Sequence, residues 1–269
     1  MNSSASFSLL KVDHVTVRFG GLTAVDDLSF DVREGDLLGL IGPNGAGKTT
    51  VMRVIIGVLQ PTEGNVSLDD ESLNGLPIHK RIQRGISLSQ QLVKPLRSIT
   101  IAENVAISAA SDKTHSPLRA LLNVSTEREL AIAQTELVRV GIEKLASHRP
   151  GTQPLGVLKR LELARALALK PRLLLLDEPL AGLNTHEAHA LASTIAEIHQ
   201  QGLTIVLIEH NLGQVMRICQ RLVVLDNGKK IGDGEPRKVM ADPVVRAAYL
   251  GSDTLGAAVA SGKSNYEVA

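Results

Sequence analysis

The chain has 269 residues, with 29 Lys and Arg against 28 Asp and Glu, for a formal net charge of +1. A balance this even gives no sign of a nucleic-acid partner recruited through bulk charge. Aromatic residues make up 2% and tryptophan is absent, which argues against base stacking and against large aromatic interfaces.

The single cysteine, Cys219, leaves no internal disulfide and no cysteine metal cluster. Its place in the apolar-periodic stretch VMRICQRL predicts a small buried side chain. The N-terminal MNSSASFSLLKVDH lacks a basic flank followed by a long apolar run, so no signal peptide is expected. No apolar run approaches the ~18–20 residues that span a bilayer. Any membrane role is therefore expected to run through partners.

Along the chain, Val15, Val17 and Phe19 alternate with polar residues, and so do Leu28, Phe30 and Val32. Period-two alternation predicts half-buried strands paired antiparallel. DLLGLIG follows as a continuous apolar run ending in glycine, the pattern of a strand buried on both faces of a parallel sheet. A helix is predicted from Lys48 to about Ile56, closed by Gly57. QPTEGNVSLD reads as a turn and then a strand.

From about Leu92 to Leu158 the character changes to helical patterns, Ile101–Ala109 and Thr126–Val140, joined by SDKTHSPLRALLNVS. This stretch is expected to be a helical lobe inserted into an α/β core. The core then resumes with a helix Lys159–Leu169, a strand Leu173–Asp177 and a helix His186–His199. A strand Thr204–Ile208, a helix Leu212–Cys219 and a strand Arg221–Leu225 complete it. Alternating strands and helices imply a parallel sheet with crossover helices. The expected organisation is one domain over 1–251, with core segments about 10–91 and 159–251, a helical subdomain about 92–158, and a disordered tail over 252–269.

Two segments carry chemistry. GPNGAGKTT, comprising Gly42, Pro43, Asn44, Gly45, Ala46, Gly47, Lys48, Thr49 and Thr50, fits the phosphate-loop pattern G-x-x-x-x-G-K-[ST]. Its context, a buried strand before and a helix after, is the one the pattern requires. Glycines let successive backbone N–H groups curl into an anion nest, and the helix aims its positive end at the same point. Lys48 would place a cation on the β- and γ-phosphates, and the Thr49 hydroxyl can ligate Mg²⁺. RLLLLDEP puts Asp177 and Glu178 at the carboxyl end of a buried strand, where open α/β sheets bind ligands. Asp177 can hold Mg²⁺ directly or through water, and Glu178 can polarise an attacking water. The cofactors expected are ATP and Mg²⁺.

Together these residues resemble the ATP-binding subunits of ABC transporters, across roughly Leu10 to Gly251. GPNGAGKTT and LLLLDEPLAGLN fit that family's Walker A, Walker B and D-loop. The resemblance implies an α/β P-loop ATPase core with an N-terminal antiparallel β region and an inserted helical subdomain. It also implies roles. In GISLSQQ, Gln91 would sense the γ-phosphate through Mg²⁺ or water and link the site to a membrane subunit. In IEHN, His210 would hydrogen-bond the γ-phosphate. In RFGG, Phe19 would stack on adenine. Asn184 stands at the D-loop position that often holds Asp.

Within the superfamily, FGGLTAVDDLSFDV, DEPLAGLN, LIEHNLGQVM and DPVVRAAYLG are similar to the importers of branched-chain amino acids. Urea or amide importers, lipopolysaccharide exporter ATPases and non-transport regulatory ATP-binding proteins remain as alternatives. The signature LSGGQ is degraded here to Gln153, Pro154, Leu155, Gly156 and Val157. The serine position is Pro154, and Gly156 is the one glycine kept. The partners implied are a second ATPase subunit in a heterodimer, transmembrane permease subunits and, indirectly, a solute-binding protein. The implied location is peripheral, on the cytoplasmic face of the membrane.

Overall fold

In the computed structural model, residues 8–89, 95–110 and 126–250 are described. Gln91, the expected boundary near Leu92 and the expected tail over 252–269 lie outside them. The chain forms two compact units. One takes the chain up to Gly75 and again from Val206 onward, and the other runs from Leu76 to Ile205.

In chain order the elements are β1 (Ser8–Phe19), β2 (Leu22–Arg33), β3 (Leu37–Ile41), α1 (Lys48–Ile56), β4 (Glu63–Leu68), β5 (Glu71–Ser72), α2 (Ile78–Gln83) and β6 (Ile86–Ser89). Three helices follow, α3 (Ile101–Ala109), α4 (Thr126–Arg139) and α5 (Leu155–Leu167). Then come β7 (Leu173–Asp177), α6 (Thr185–Gln200), β8 (Thr204–Ile208), α7 (Leu212–Ile218), β9 (Arg221–Asp226) and β10 (Lys229–Gly234). Helices α8 (Pro236–Ala241) and α9 (Pro243–Leu250) complete the described chain.

The first unit holds an antiparallel sheet in the order β2-β1-β4-β5. Val12 faces Phe30 and Val15 faces Leu28 across its central pair, so the alternating residues of both strands line one buried face. It also holds the strand order β10-β9-β3-β8. There β3 runs parallel to β9, with Leu40 opposite Val223 and Ile41 opposite Val224. All five residues of β3 are buried, which is why an unbroken apolar run, not an alternating one, encodes it. Arg221 ties β2 to the β9–β10 hairpin, donating to Asp31 Oδ1 at 3.1 Å and to Asp233 Oδ1 at 2.8 Å. Asn227 and Gly228 make that hairpin's two-residue turn with φ of 46° and 79°. Positive φ at both positions matches the right-handed twist of the strands.

In the second unit β6 pairs parallel with β7, from Ile86 opposite Leu173 to Ser89 opposite Leu176. Helices α3, α4 and α5 pack around Val105, Ala133, Leu137, Leu161 and Ala164, all buried. Two polar side chains are built into this packing. Arg160 Nη1 donates to the Val140 carbonyl at 2.6 Å and to Thr194 Oγ1 at 3.0 Å. Asn104, 1% exposed, accepts from the Leu96 N–H at 2.8 Å and donates to the Leu96 and Thr100 carbonyls. Thr100 caps α3 in a reciprocal capping box with Glu103.

One helix begins elsewhere than the sequence predicts. Helix α5 starts at Leu155, not Lys159, with Pro154 as its N-cap at φ −58° and ψ 157°. Proline suits a helix start because its missing N–H is one the first turn leaves unsatisfied anyway. Gly156 and Val157 therefore lie inside the first turn of α5, not in a loop before it. Among the described residues, no helix is long and apolar enough to cross a membrane.

Candidate functional site

In the first unit, the site begins where β3 ends. Gly42 has φ 149°, and a Cβ there would lie 2.1 Å from the Leu225 carbonyl oxygen. Gly47, at φ 100°, would put a Cβ 2.6 Å from the Ala24 oxygen. Only glycine fits either position, so the pattern's two fixed glycines are required by the backbone itself. Between them the loop folds back on itself, with the Ala46 N–H on the Pro43 carbonyl at 3.2 Å. The β9–β10 turn clamps it: the Gly228 N–H donates to Ala46 at 3.1 Å, and the Gly228 carbonyl accepts from Asp26 at 2.9 Å.

Lys48 is 5% exposed, and its ammonium donates to the Gly42 and Pro43 carbonyls at 2.8 Å each. Helix α1 starts at Lys48 with no side-chain cap and no acidic residue in its first turn. Its first intrahelical donor is the Val51 N–H, on the Gly47 carbonyl at 3.0 Å. The N–H groups of Lys48, Thr49 and Thr50 thus gather at the positive end of the helix dipole. A loop of backbone donors, a cation and a helix N-terminus without an opposing carboxylate is a receptor for a polyanion.

Two further predicted residues lie in this unit. Phe19 closes β1 and is 48% exposed, so its ring is not core and is free to present a face to a ligand. His210 follows β8 and is exposed. Its N–H donates to Oε2 of the buried Glu209 at 3.2 Å. Asn211 next to it caps α7, accepting from the Gln214 N–H at 3.1 Å. Cys219 is buried, and burial, with the Glu209 charge adding to it, pushes its thiol up to about 12. It is a packing residue, as the sequence predicts.

In the second unit, Asp177 ends β7, and its Oδ1 is sealed from solvent. Glu178 follows with φ 50°, a left-handed conformation that costs a non-glycine residue about 1–3 kcal/mol. Surrounding bonds hold it there. The Glu178 carbonyl accepts from Lys159 Nζ at 3.2 Å and from the Ala181 N–H at 3.2 Å. Lys159 is 6% exposed and belongs to α5. Asn184 is the N-cap of α6, in a capping box with Glu187. Glu187 also approaches the signature: a Cβ on Gly156 would lie 3.2 Å from its Oε1.

Gly42 through Thr50 are thus brought together in one unit, and Asp177, Glu178, Gly156 and Asn184 lie in the other. Gln91 is outside the described residues. Sequence reading missed Lys159, because nothing in KRLELARAL sets a buried lysine apart from a solvated one. It also missed the capping role of Asn184, which the spacing Asn184-x-x-Glu187 signals. Among the described residues no group of three or more His, Cys, Asp or Glu could hold a metal by itself. Mg²⁺ fits the residues present nonetheless, because it is usually bound by one or two carboxylates together with substrate phosphates. The sealed oxygen of Asp177 is a donor of that kind.

The family described as ABC transporter matches residues 25–181. The family described as branched-chain amino acid ATP-binding cassette transporter matches residues 229–254. The chain is 38% identical, over 90% of its length and 98% of the relative's, to the high-affinity branched-chain amino acid transport ATP-binding protein BraF of Pseudomonas aeruginosa. It is 30% identical, over 91% of its length and 98% of the relative's, to the lipopolysaccharide export system ATP-binding protein LptB of Escherichia coli. Among solved structures, the ADP conformation of an ATP-binding cassette of an ABC transporter superposes with a TM-score of 0.81 at 29% identity, over 91% of this chain and all of the other.

Proposed function

Because the chain belongs to the ABC transporter ATP-binding family and is an ATPase of that fold, we propose that it powers an importer of branched-chain amino acids. The observation that carries the ATPase reading is the buried Lys48 ammonium, held on two loop carbonyls at the uncapped N-terminus of α1. The branched-chain reading is supported by the C-terminal match over residues 229–254 and by the higher identity to BraF than to LptB.

The roles follow from the residue chemistry. Lys48 exchanges its two carbonyl partners for β- and γ-phosphate oxygens, while the N–H groups of the loop and of the first turn of α1 bind the remaining ones. Phe19 stacks on the adenine. Thr49, Asp177 and Gln91 would hold Mg²⁺, and the ion would supply charge neutralisation for the transferring phosphate. Glu178, fixed through its carbonyl, polarises the attacking water, a contribution of about 10²–10⁴-fold. His210 donates to the γ-phosphate. The Gly156 N–H, at the start of α5, faces the γ-phosphate bound by a partner ATPase. We further propose a core of about 10–91 and 159–251, a helical subdomain of about 92–158, and peripheral attachment to permease subunits at the cytoplasmic membrane face.

Calorimetric titration of the purified chain tests the nucleotide site. MgATP should bind wild type and bind Lys48→Ala far more weakly. Equal affinity for both proteins would remove Lys48 from the site.

A further inference from the structure

Beside the first turn of α5, within the second unit, lies a cleft of about 300 Å³. Small-molecule sites begin at about that size, and they are mostly apolar with a few placed polar groups. Ile142, Leu145, Leu183 and Leu191 supply aliphatic walls here, and among the described residues no Phe or Tyr lines the cleft.

Two unlike charges share this lining, Arg160 of α5 and Glu187 of α6. Their hydrogen bonds run to other groups. Arg160 donates from Nη1 to the Val140 carbonyl and to Thr194 Oγ1. Glu187 Oε2 accepts from the Asn184 N–H at 3.2 Å. Among the described residues no bond joins the two charges to each other. A glycine borders each of them. A Cβ on Gly141 would lie 3.7 Å from Arg160 Nη1, and one on Gly156 would lie 3.2 Å from Glu187 Oε1. Both glycines line the cleft, so their missing side chains leave room beside both charges. The exposed His186 is the remaining titratable residue of the lining.

The chemistry asks for a ligand with both signs of charge and an apolar body. Burial lowers the proton affinity of Arg160, with Glu197 partly offsetting it. The guanidinium nonetheless stays charged, and its planar fork suits a carboxylate. A carboxylate such as that of Glu187 suits an ammonium. The aliphatic walls between them favour an alkyl group over a ring or a sugar.

We propose that this cleft binds an aliphatic α-amino acid, with its carboxylate on Arg160, its ammonium on Glu187 and its side chain against the aliphatic walls. The cleft's own chemistry specifies only that class. The choice of leucine, isoleucine and valine within it rests on the branched-chain reading above.

Calorimetric titration of the purified full chain with L-leucine tests this. Saturable binding at one site is expected. Isocaproate lacks the ammonium and isoamylamine lacks the carboxylate. A hydrogen bond to a charged group contributes about 1.5–3 kcal/mol, so each analogue should bind roughly 10–100-fold more weakly at ~1.4 kcal/mol per decade. Ala190 lines the cleft from α6, and Ala190→Phe should fill it, abolishing leucine binding while the MgATP Kd stays that of wild type. No saturable binding of leucine, equal affinity for leucine and both analogues, or undiminished leucine binding by folded Ala190→Phe would overturn the proposal. The analogue series uses wild type alone, so it decides even where the variant does not fold. Leucine binding without ATP-driven uptake of branched-chain amino acids would leave the cleft standing and remove the transport reading. Uptake of those amino acids with no leucine binding to the chain would do the reverse.

Discussion

The ammonium of Lys159 donates to the carbonyl oxygen of Glu178 at 3.2 Å. One residue is buried in the second turn of the signature helix, and the other sits in a left-handed turn at the end of an apolar strand. The bond helps to hold a strained backbone in place. Holding the Glu178 backbone fixes the point from which its proposed catalytic carboxylate acts.

Glu178→Gln should therefore keep MgATP binding and lower turnover by at least about 10²-fold, the lower end of what a positioned base contributes. Phosphate release from the reconstituted complex measures this. Turnover within a few-fold of wild type would remove Glu178 as the base.

Asn104 makes a second specific prediction. Its amide satisfies both backbone groups of Leu96 from a position 1% exposed. Asn104→Leu should remove its two hydrogen bonds to Leu96, at about 0.5–1.5 kcal/mol each, and cost about 1–3 kcal/mol, read by urea unfolding. Gln91→Ala, five residues before Leu96 in the chain, should leave nucleotide affinity nearly intact while lowering solute uptake per ATP. Loss of binding in that variant would make Gln91 structural.

Cys219 should resist alkylation in the native protein and react once the chain is unfolded. Its ordinary value of 9.0 is pushed up to about 12 by burial. The unfolded chain thus releases this proton near pH 9 while the native one retains it, so stability falls as pH rises from about 9 toward about 12. Rapid labelling of native protein at pH 8 would contradict the burial.

The signature makes a further prediction. Helix α5 opens at Pro154 with no side-chain cap and no acid in its first turn. Its dipole and the Gly156 N–H remain to meet a phosphate, but no serine hydroxyl does. A hydrogen bond to a charged group contributes about 1.5–3 kcal/mol. A site completed by this segment should then close roughly 10–100-fold less well at ~1.4 kcal/mol per decade. In a heterodimer with an ATPase of fuller signature, Lys48→Ala here should impair transport more than the same change in the partner. Equal impairment, or a fully active homodimer, would count against unequal sites.

Much of this was legible in the sequence because it is local. The phosphate loop needs glycines at two backbone positions and writes them as a spacing. The buried strands write themselves as apolar runs. The Asn227-Gly228 turn and both capping boxes were equally local and could have been read from their residue types. The start of α5 misled because Gly156 lowers helix propensity, while the Pro154 that opens the helix looks, in sequence, like a loop residue. The bond of Lys159 to Glu178 was not legible. It joins residues distant in the chain, and neither differs in type from a solvated residue.

The most direct test is ATP-driven uptake in vesicles. Permease and partner ATPase subunits would be reconstituted with either wild-type chain or Glu178→Gln, and radiolabelled leucine, isoleucine and valine followed with a solute-binding protein outside. The account predicts accumulation of these amino acids that requires ATP at the face bearing this chain and is lost with Glu178→Gln. Uptake that persists at wild-type rate with Glu178→Gln, or ATP-driven movement of a different solute with none of the three, would contradict it.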